Sequence, residues 1–434
     1  LFDHRSLPAM LTANDPSLHS WIQIPPTSDF QIQNLPFGIF QAKDRDPRVG
    51  VAIGEYVLDV YVLTQHGLFD MLDVEDPTVF HKPYLNEFMA LGRTIWRQVR
   101  CRISELLRTD NPEIRDNREL MAECLLIQKD VQMLMPVLVP NYTDFYSSME
   151  HATNVGSMFR DPANALLPNW KHLPVGYHGR ASSIIPSGVP IRRPQGQTKP
   201  ADADAPVFGP TKQLDFELEV AFITGQPTEL GTSLTTLEAE EYIFGLVLFN
   251  DWSARDIQAW EYVPLGPFLA KNFASSISPW VVTLDALEPF RVPGPVQEPR
   301  VLPYLEFSGN KNLNINLEVS LQGPGLPEEV VICRSNFRHM YWNMNQQLAH
   351  HTINGCNIEV GDLYASGTIS GPTPDSYGSM LELTWRGTNP LQFPNNTERK
   401  FLQDGDIVTM RGYAEKNGIR VGFGEVRTEI LPSI

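Results

Sequence analysis

Tyr242-Ile-Phe-Gly-Leu-Val-Leu-Phe249 is the longest apolar run in the chain. It is far short of the ~20 residues a membrane span needs, and it reads as a buried strand. Upstream lies Asp215-Phe-Glu-Leu-Glu-Val-Ala-Phe222. Strand side chains alternate, so Asp215, Glu217 and Glu219 point one way and Phe216, Leu218 and Val220 the other. Inside a protein those carboxylates repel one another and need a cation, and a hard ion such as Mg²⁺ or Ca²⁺ takes oxygen ligands of this type. Alone, the segment reads at least as readily as a half-exposed strand with a solvated acidic face. Downstream, Asn250-Asp251-Trp-Ser-Ala-Arg255-Asp-Ile-Gln258-Ala-Trp-Glu-Tyr262 turns the strand into a helix, with Asp251 as the expected N-cap. Asp251, Arg255, Gln258 and Tyr262 then share one helical face and make a polar pocket wall. The plainer alternative is a cap plus a surface ion pair.

Working outward, residues 1–29 are a polar lead-in. Residues 37–62 read as short strands with turns. A helix is expected from Tyr84 to Leu107, burying Phe88, Ile95, Trp96, Val99, Ile103 and Leu107 and turning Arg93, Arg97 and Arg100 to solvent. The first part ends near 136–140, and the remainder is strand-rich. Residues 195–210 look like a mobile surface loop. A helix over 337–348 buries Phe337, Met340, Tyr341, Met344 and Leu348, and Asn354-Gly355 ends it. Asn417-Gly418 suits the type I′ turn of a C-terminal hairpin. The expected architecture is mostly β (α+β): a small N-terminal β domain with a helix over 30–138, then a large β domain over 139–434.

The 434 residues carry a formal charge of −17, which argues against a nucleic-acid or anionic-membrane partner. Hydrophobic residues at 42% supply a sizeable core and exclude disorder as the main state. Proline, at 36 residues, is about 8% against a usual ~5%, which favours loops and strands. Cys101, Cys124, Cys333 and Cys356 lie far apart with no C-x-x-C, so a reduced, cytoplasmic setting is expected. No signal peptide is visible; the chain opens at Leu1 without methionine, which fits removal of an upstream piece.

Two further segments carry chemistry. Tyr142-Thr-Asp144-Phe-Tyr146-Ser-Ser-Met-Glu-His151 clusters an acid, a phenol and a histidine, the usual general base near neutral pH. A lone histidine is more often structural. Tyr177-His-Gly-Arg-Ala-Ser-Ser183 and Tyr364-Ala-Ser-Gly367-Thr368-Ile-Ser-Gly371-Pro372 are Gly-rich and permit close ligand approach. Neither matches a phosphate-binding pattern, and G-x-S-x-G and H-E-x-x-H do not occur. The adjacent His350 and His351 read as structural or exposed.

Assembled, the chain resembles the fumarylacetoacetase (fumarylacetoacetate hydrolase) family from about Phe30 to the C-terminus. The likeness rests on long stretches such as YTDFYSSMEHATNVGSMFR, LFNDWSARDIQAWEYVPLGPFLAKNF and GSMLELTW. It implies an SH3-like N-terminal domain, a β-roll catalytic domain and a homodimer. It also implies hydrolysis of 4-fumarylacetoacetate to fumarate and acetoacetate, the last step of phenylalanine and tyrosine breakdown. By the same resemblance Asp144, Glu217, Glu219 and Asp251 hold a divalent cation, Ca²⁺ or Mg²⁺, with no organic cofactor. His151 is the base and Glu382 orients it. Arg255, Gln258 and Lys271 stabilise the oxyanion, and Tyr146, Arg160, Tyr177, Tyr262 and Thr368, with Gln258, hold an anionic diketo acid. A second metal position uses Asp251, Lys271 and Ser275, where the family usually has threonine. The rival within the superfamily is a metal-dependent 2-oxo acid decarboxylase or hydratase; the His151–Glu382 pair and the long N-terminal domain weigh against it.

Overall fold

The computed structural model describes residues 12–434; residues 1–11 of the expected 1–29 lead-in lie outside the described residues. Toward the N-terminus, five strands form an antiparallel sheet in the order Leu125–Ile127, Tyr56–Asp59, Arg48–Ile53, Phe37–Gln41, Gln132–Met133. The strand pattern stops at Asp59, whose carboxylate accepts from the Val62 amide and caps a short helix over Val60–Gln65.

The helix expected over Tyr84–Leu107 is two pieces, Asn86–Met89 and Arg93–Leu107. Gly92 separates them with a φ of +88°, a conformation that side chains disfavour. Its apolar stripe is buried as the spacing predicts. The solvated arginine face is not there. Arg100 is 2% exposed, and its guanidinium donates to the carbonyls of Gln33 and Asn34. Arg93 and Arg97 bind Asp285 at 3.2 and 2.8 Å. Periodicity marks which residues cluster, but this helix is packed on more than one side, and its arginines fasten it to the rest of the chain.

The larger part is built on two sheets. One has eight strands, ordered Gly176–His178, Tyr142–Phe145, Leu363–Ala365, Leu218–Thr224, Ile243–Asp251, Ser275–Ile277, Ile184–Pro186, with Val282–Thr283 also pairing Ile243–Asp251. The other runs Val330–Asn336, Asn316–Gln322, Ile407–Lys416, Ile419–Leu431, Ile191–Arg192. Asn417 and Gly418, with φ of +54° and +80°, close its long hairpin as the dipeptide predicts.

The eight-stranded sheet is covered on both faces. Leu218, Val220, Phe222, Leu246 and Leu248 pack in one core with Leu317, Val319 and Met410 of the second sheet. Ala221, Ile223, Val247, Phe249 and Leu363 pack in another with Phe37, Phe88 and Trp96 of the N-terminal part. The ring of Phe244 lies 5.0 Å from Trp96 and 5.8 Å from Phe88. Double coverage explains why 242–249 reads as continuously apolar.

Two local expectations are corrected. Residues 195–210 are not simply a loop: Gln195–Thr198 and Val207–Pro210 pair as an antiparallel ribbon around 199–206. The turn composition of the centre hides the ladder that flanks it. The 337–348 helix begins later, as Met344–Thr352 under an Asn343/Gln346 capping box, after a short 3₁₀ turn at Phe337–His339. Its predicted buried stripe holds. Among the described residues no helix is long and apolar enough to cross a membrane.

Candidate active site

Asp144, Glu217, Glu219 and Asp251 are all buried, and one carboxylate oxygen from each lies within 4.8 Å of the others. Strand register brings them together. Asp144 sits near the end of Tyr142–Phe145, Glu219 near the start of Leu218–Thr224, and Asp251 closes Ile243–Asp251. The solvated acidic face is therefore overturned. Asp215 does not join the group. Its carboxylate takes the Arg255 Nε at 2.8 Å and the Met380 and Leu381 amides. Asp251 is not a helix cap either; the cap of Arg255–Glu261 is Ala254, and Asp251 ends the strand.

Two cations face the quartet. Lys271 Nζ lies 2.5 Å from Glu217 and 2.8 Å from Asp251, and Arg255 Nη1 lies 2.7 Å from Glu217. The hydroxyls of Tyr177 and Ser275 donate to Asp251 at 3.0 and 3.2 Å. The Gly367 amide donates to Glu219 at 3.0 Å. Gly367 has a φ of +76°, and a Cβ there would fall 2.3 Å from the Phe145 carbonyl. Only glycine lets this backbone approach.

Burial first, then repulsion from neighbouring carboxylates, pushes Asp144 and Glu219 well above the usual carboxylate range. Glu217 is as deeply buried, but Lys271 and Arg255 outweigh burial and hold it below that range. Asp144 Oδ1 and Glu219 Oε1 have no protein hydrogen-bond partner. Unpaired oxygens on a hard, four-carboxylate donor set fit a divalent cation.

The second part of the site is a dyad. His151 is 3% exposed on the helix Met149–Phe159, whose cap Ser148 accepts from the His151 amide. Its Nδ1 lies 2.7 Å from Glu382 Oε2. Glu382 also accepts from Asn154 at 2.9 Å, Ser370 at 2.9 and 3.0 Å, and Ser379 at 2.8 Å. Burial would raise its carboxyl, but the His151 charge and these bonds hold it below its ordinary value. A carboxylate on Nδ1 leaves the imidazole Nε2 as the proton acceptor. The Tyr146 ring stands edge-on to His151 with centroids 5.1 Å apart. Glu217 pairs by an isolated bridge with Ser379, whose hydroxyl donates to Glu382, so dyad and quartet adjoin.

The remaining candidates divide. Thr368 is buried, Tyr146 and Gln258 are half-buried, and Gln258 Oε1 accepts from Arg255 Nη1 at 3.4 Å. Arg160 and Tyr262 are not drawn into the buried cluster. Arg160 is exposed at its helix end and donates to the Ala165 carbonyl, and Tyr262 is 52% exposed after Arg255–Glu261. Ser379, Asn154 and Ser370 escaped the sequence reading. Ser379-Met-Leu-Glu382 is a capping-box spacing, and Asn154 lies one turn after His151, so both had a local signal. Ser370 had none. His350 and His351 pair with the hydroxyls of Tyr304 and Tyr364, consistent with a structural role.

A proton-accepting dyad beside a carboxylate quartet suited to a cation is the layout of an acid–base enzyme with a cation centre. The family model "Fumarylacetoacetase N-terminal" matches residues 33–136, and "Fumarylacetoacetate (FAA) hydrolase C-terminal" matches 141–431. Fumarylacetoacetase from Homo sapiens is 52% identical over 96% of this chain and 99% of its own. Those from Caenorhabditis elegans and Arabidopsis thaliana are 53% and 51% identical over 96% of this chain, covering 100% and 99% of theirs. A solved fumarylacetoacetate hydrolase from Exiguobacterium antarcticum shares the fold: TM-score 0.52 at 19% identity, over 92% of this chain and 99% of that one. The chain belongs to the fumarylacetoacetase family.

Proposed function

We propose that this enzyme hydrolyses the carbon–carbon bond of 4-fumarylacetoacetate, giving fumarate and acetoacetate, as the last step of phenylalanine and tyrosine breakdown. The observation that carries the reading is the buried His151–Glu382 dyad joined to the carboxylate quartet through the Glu217–Ser379 bridge. Asp144, Glu217, Glu219 and Asp251 would hold a divalent cation, Ca²⁺ or Mg²⁺, with Ser275 and Lys271 beside Asp251. When bound, such an ion polarises a carbonyl and offsets negative charge.

The chain's own groups account for the rest. Glu382 orients the imidazole and stabilises its charged form, so His151 takes a proton from water at Nε2. The resulting hydroxide adds to the substrate carbonyl, and the bond to the neighbouring carbon then breaks. The electron pair left on that carbon is taken up as an enolate and is quenched by a proton. Lys271 and Arg255 face the developing charge, and Gln258 extends their row. Arg255 Nη2 is buried without a protein partner, a donor free for a substrate oxygen. Tyr146, Tyr177 and Thr368 would line the substrate, with Arg160 and Tyr262 reaching it from exposed positions.

The assembly we propose is a homodimer in the cytoplasm. Val207, Phe208, Trp260, Leu265 and Phe268 are exposed, Leu265 at 97%, and Trp260 Nε1 reaches Gln197 on the same ribbon as Phe208. Large exposed apolar patches mark interaction surfaces. Light scattering would return about twice the chain mass of 48.9 kDa for a dimer.

The test of the reaction is chelator-stripped protein mixed with 4-fumarylacetoacetate, followed by loss of the diketone absorbance with and without Mg²⁺ or Ca²⁺. Cation-dependent loss with fumarate and acetoacetate as products is the expected result. No loss with either ion sinks the proposal.

A further inference from the structure

Tyr142 occupies a boundary. Its strand neighbour two residues on, Asp144, lies on the same face of the sheet. That face runs from the apolar packing against the N-terminal part, where Tyr142 meets Phe249 with ring centroids 5.2 Å apart, to the carboxylates. The ring is wedged flat: a Cβ on Gly179 would fall 2.2 Å from its Cδ1. The residue is 3% exposed, and its hydroxyl has no protein hydrogen-bond partner. Phe249, on which the ring packs, is the register partner of Glu219 and lies two residues before Asp251 on the same face of its strand.

A buried hydroxyl without a partner is costly, and an apolar phenylalanine would fill this packing without that cost. The ring packs on Phe249, the cross-strand partner of Glu219, and two carboxylates on this sheet face also carry unpaired oxygens, Asp144 and Glu219. Three unsatisfied groups on one face of neighbouring strands point to a shared partner rather than to three separate defects. Tyr177 makes the contrast: its hydroxyl already donates to Asp251 at 3.0 Å.

We propose that Tyr142 is a positioning residue of the cation centre: its hydroxyl gains a hydrogen bond, to Asp144 or to a water shared with it, only when a divalent cation is held. The proposal rests on the reading that the quartet binds such an ion. Partners of this kind outside the ligand set typically change metal affinity 10–100-fold.

The test is Tyr142→Phe in the full chain, with Mg²⁺ or Ca²⁺ titrated calorimetrically into chelator-treated protein and thermal melts taken with and without ion. The expected result is a cation Kd at least tenfold weaker, together with an undiminished melting temperature in chelator. Unchanged affinity, when the wild type binds, overturns the role of Tyr142 and leaves the quartet reading standing. A lowered melting temperature in chelator with unchanged affinity makes the residue a packing element and also overturns it. Absence of binding by the wild type itself overturns both.

Discussion

Glu382 and Glu219 are both fully buried carboxylates in the same site, and the protein treats them in opposite ways. Around Glu382 every oxygen is satisfied by His151, Asn154, Ser370 or Ser379, and the carboxyl is held ionised. Around Glu219 one oxygen has a partner, the Gly367 amide, the other has none, and burial and like charge press it toward its neutral form. The first is a finished arrangement that sets the state of a base before any ligand arrives. The second is deliberately incomplete electrostatically, and a cation is what completes it.

Removing the base breaks the comparison most directly. His151→Ala should lower kcat by about 10³-fold, within the span general bases contribute, while cation affinity by calorimetry stays near wild type. Near-normal turnover would take His151 out of the base role. Next come the two carboxylate-to-amide changes, which should move stability in opposite directions. Glu382→Gln should cost about 3 kcal/mol in chemical denaturation, because it strips a satisfied buried partner from His151. Glu219→Gln should weaken the cation and, in chelator, stabilise the fold by on the order of 1 kcal/mol by relieving repulsion. The same sign for both would erase the distinction.

A pH series sharpens it further. Glu382 is held below its ordinary 4.5 in the folded state. Its contribution is present above that value and is lost as pH falls through the lower folded one. Wild-type stability should therefore fall more steeply than that of Glu382→Gln below about pH 4.5; parallel curves would mean Glu382 is not held ionised by folding. The smallest effect is expected from Asn154→Ala. It removes one of several bonds to Glu382, costing about 1 kcal/mol, with a loss in kcat under tenfold.

The elements that sequence reading found best are those whose signal is local. The 407–431 hairpin follows from Asn417-Gly418, and the E-x-E strand from its alternation. Its misreadings of charged residues share one cause. The arginines of Arg93–Leu107, the acidic residues from 215 to 219 and Asp251 were all first weighed against water, and each faces protein instead. Asp215 shows the limit well. By alternation it belongs with Glu217 and Glu219, yet the strand is interrupted at 216–217, and Asp215 goes to Arg255 and the start of Met380–Leu383. The Ser379-to-Glu382 cap spacing was readable; that this glutamate orients a histidine was not.

Residue chemistry and short-range spacing, then, were determined by the sequence: that Glu217 and Glu219 alternate onto one side, which serine stands at a cap spacing, where the chain turns. Such features depend on backbone geometry within a few residues. Whether those carboxylates are buried, and so whether they need a cation, was decided only by the tertiary structure. So was the meeting of His151 with Glu382, 231 residues apart. Burial depends on what packs over a face, and the N-terminal part covering one side of the eight-stranded sheet turns an ordinary acidic strand into a charged interior.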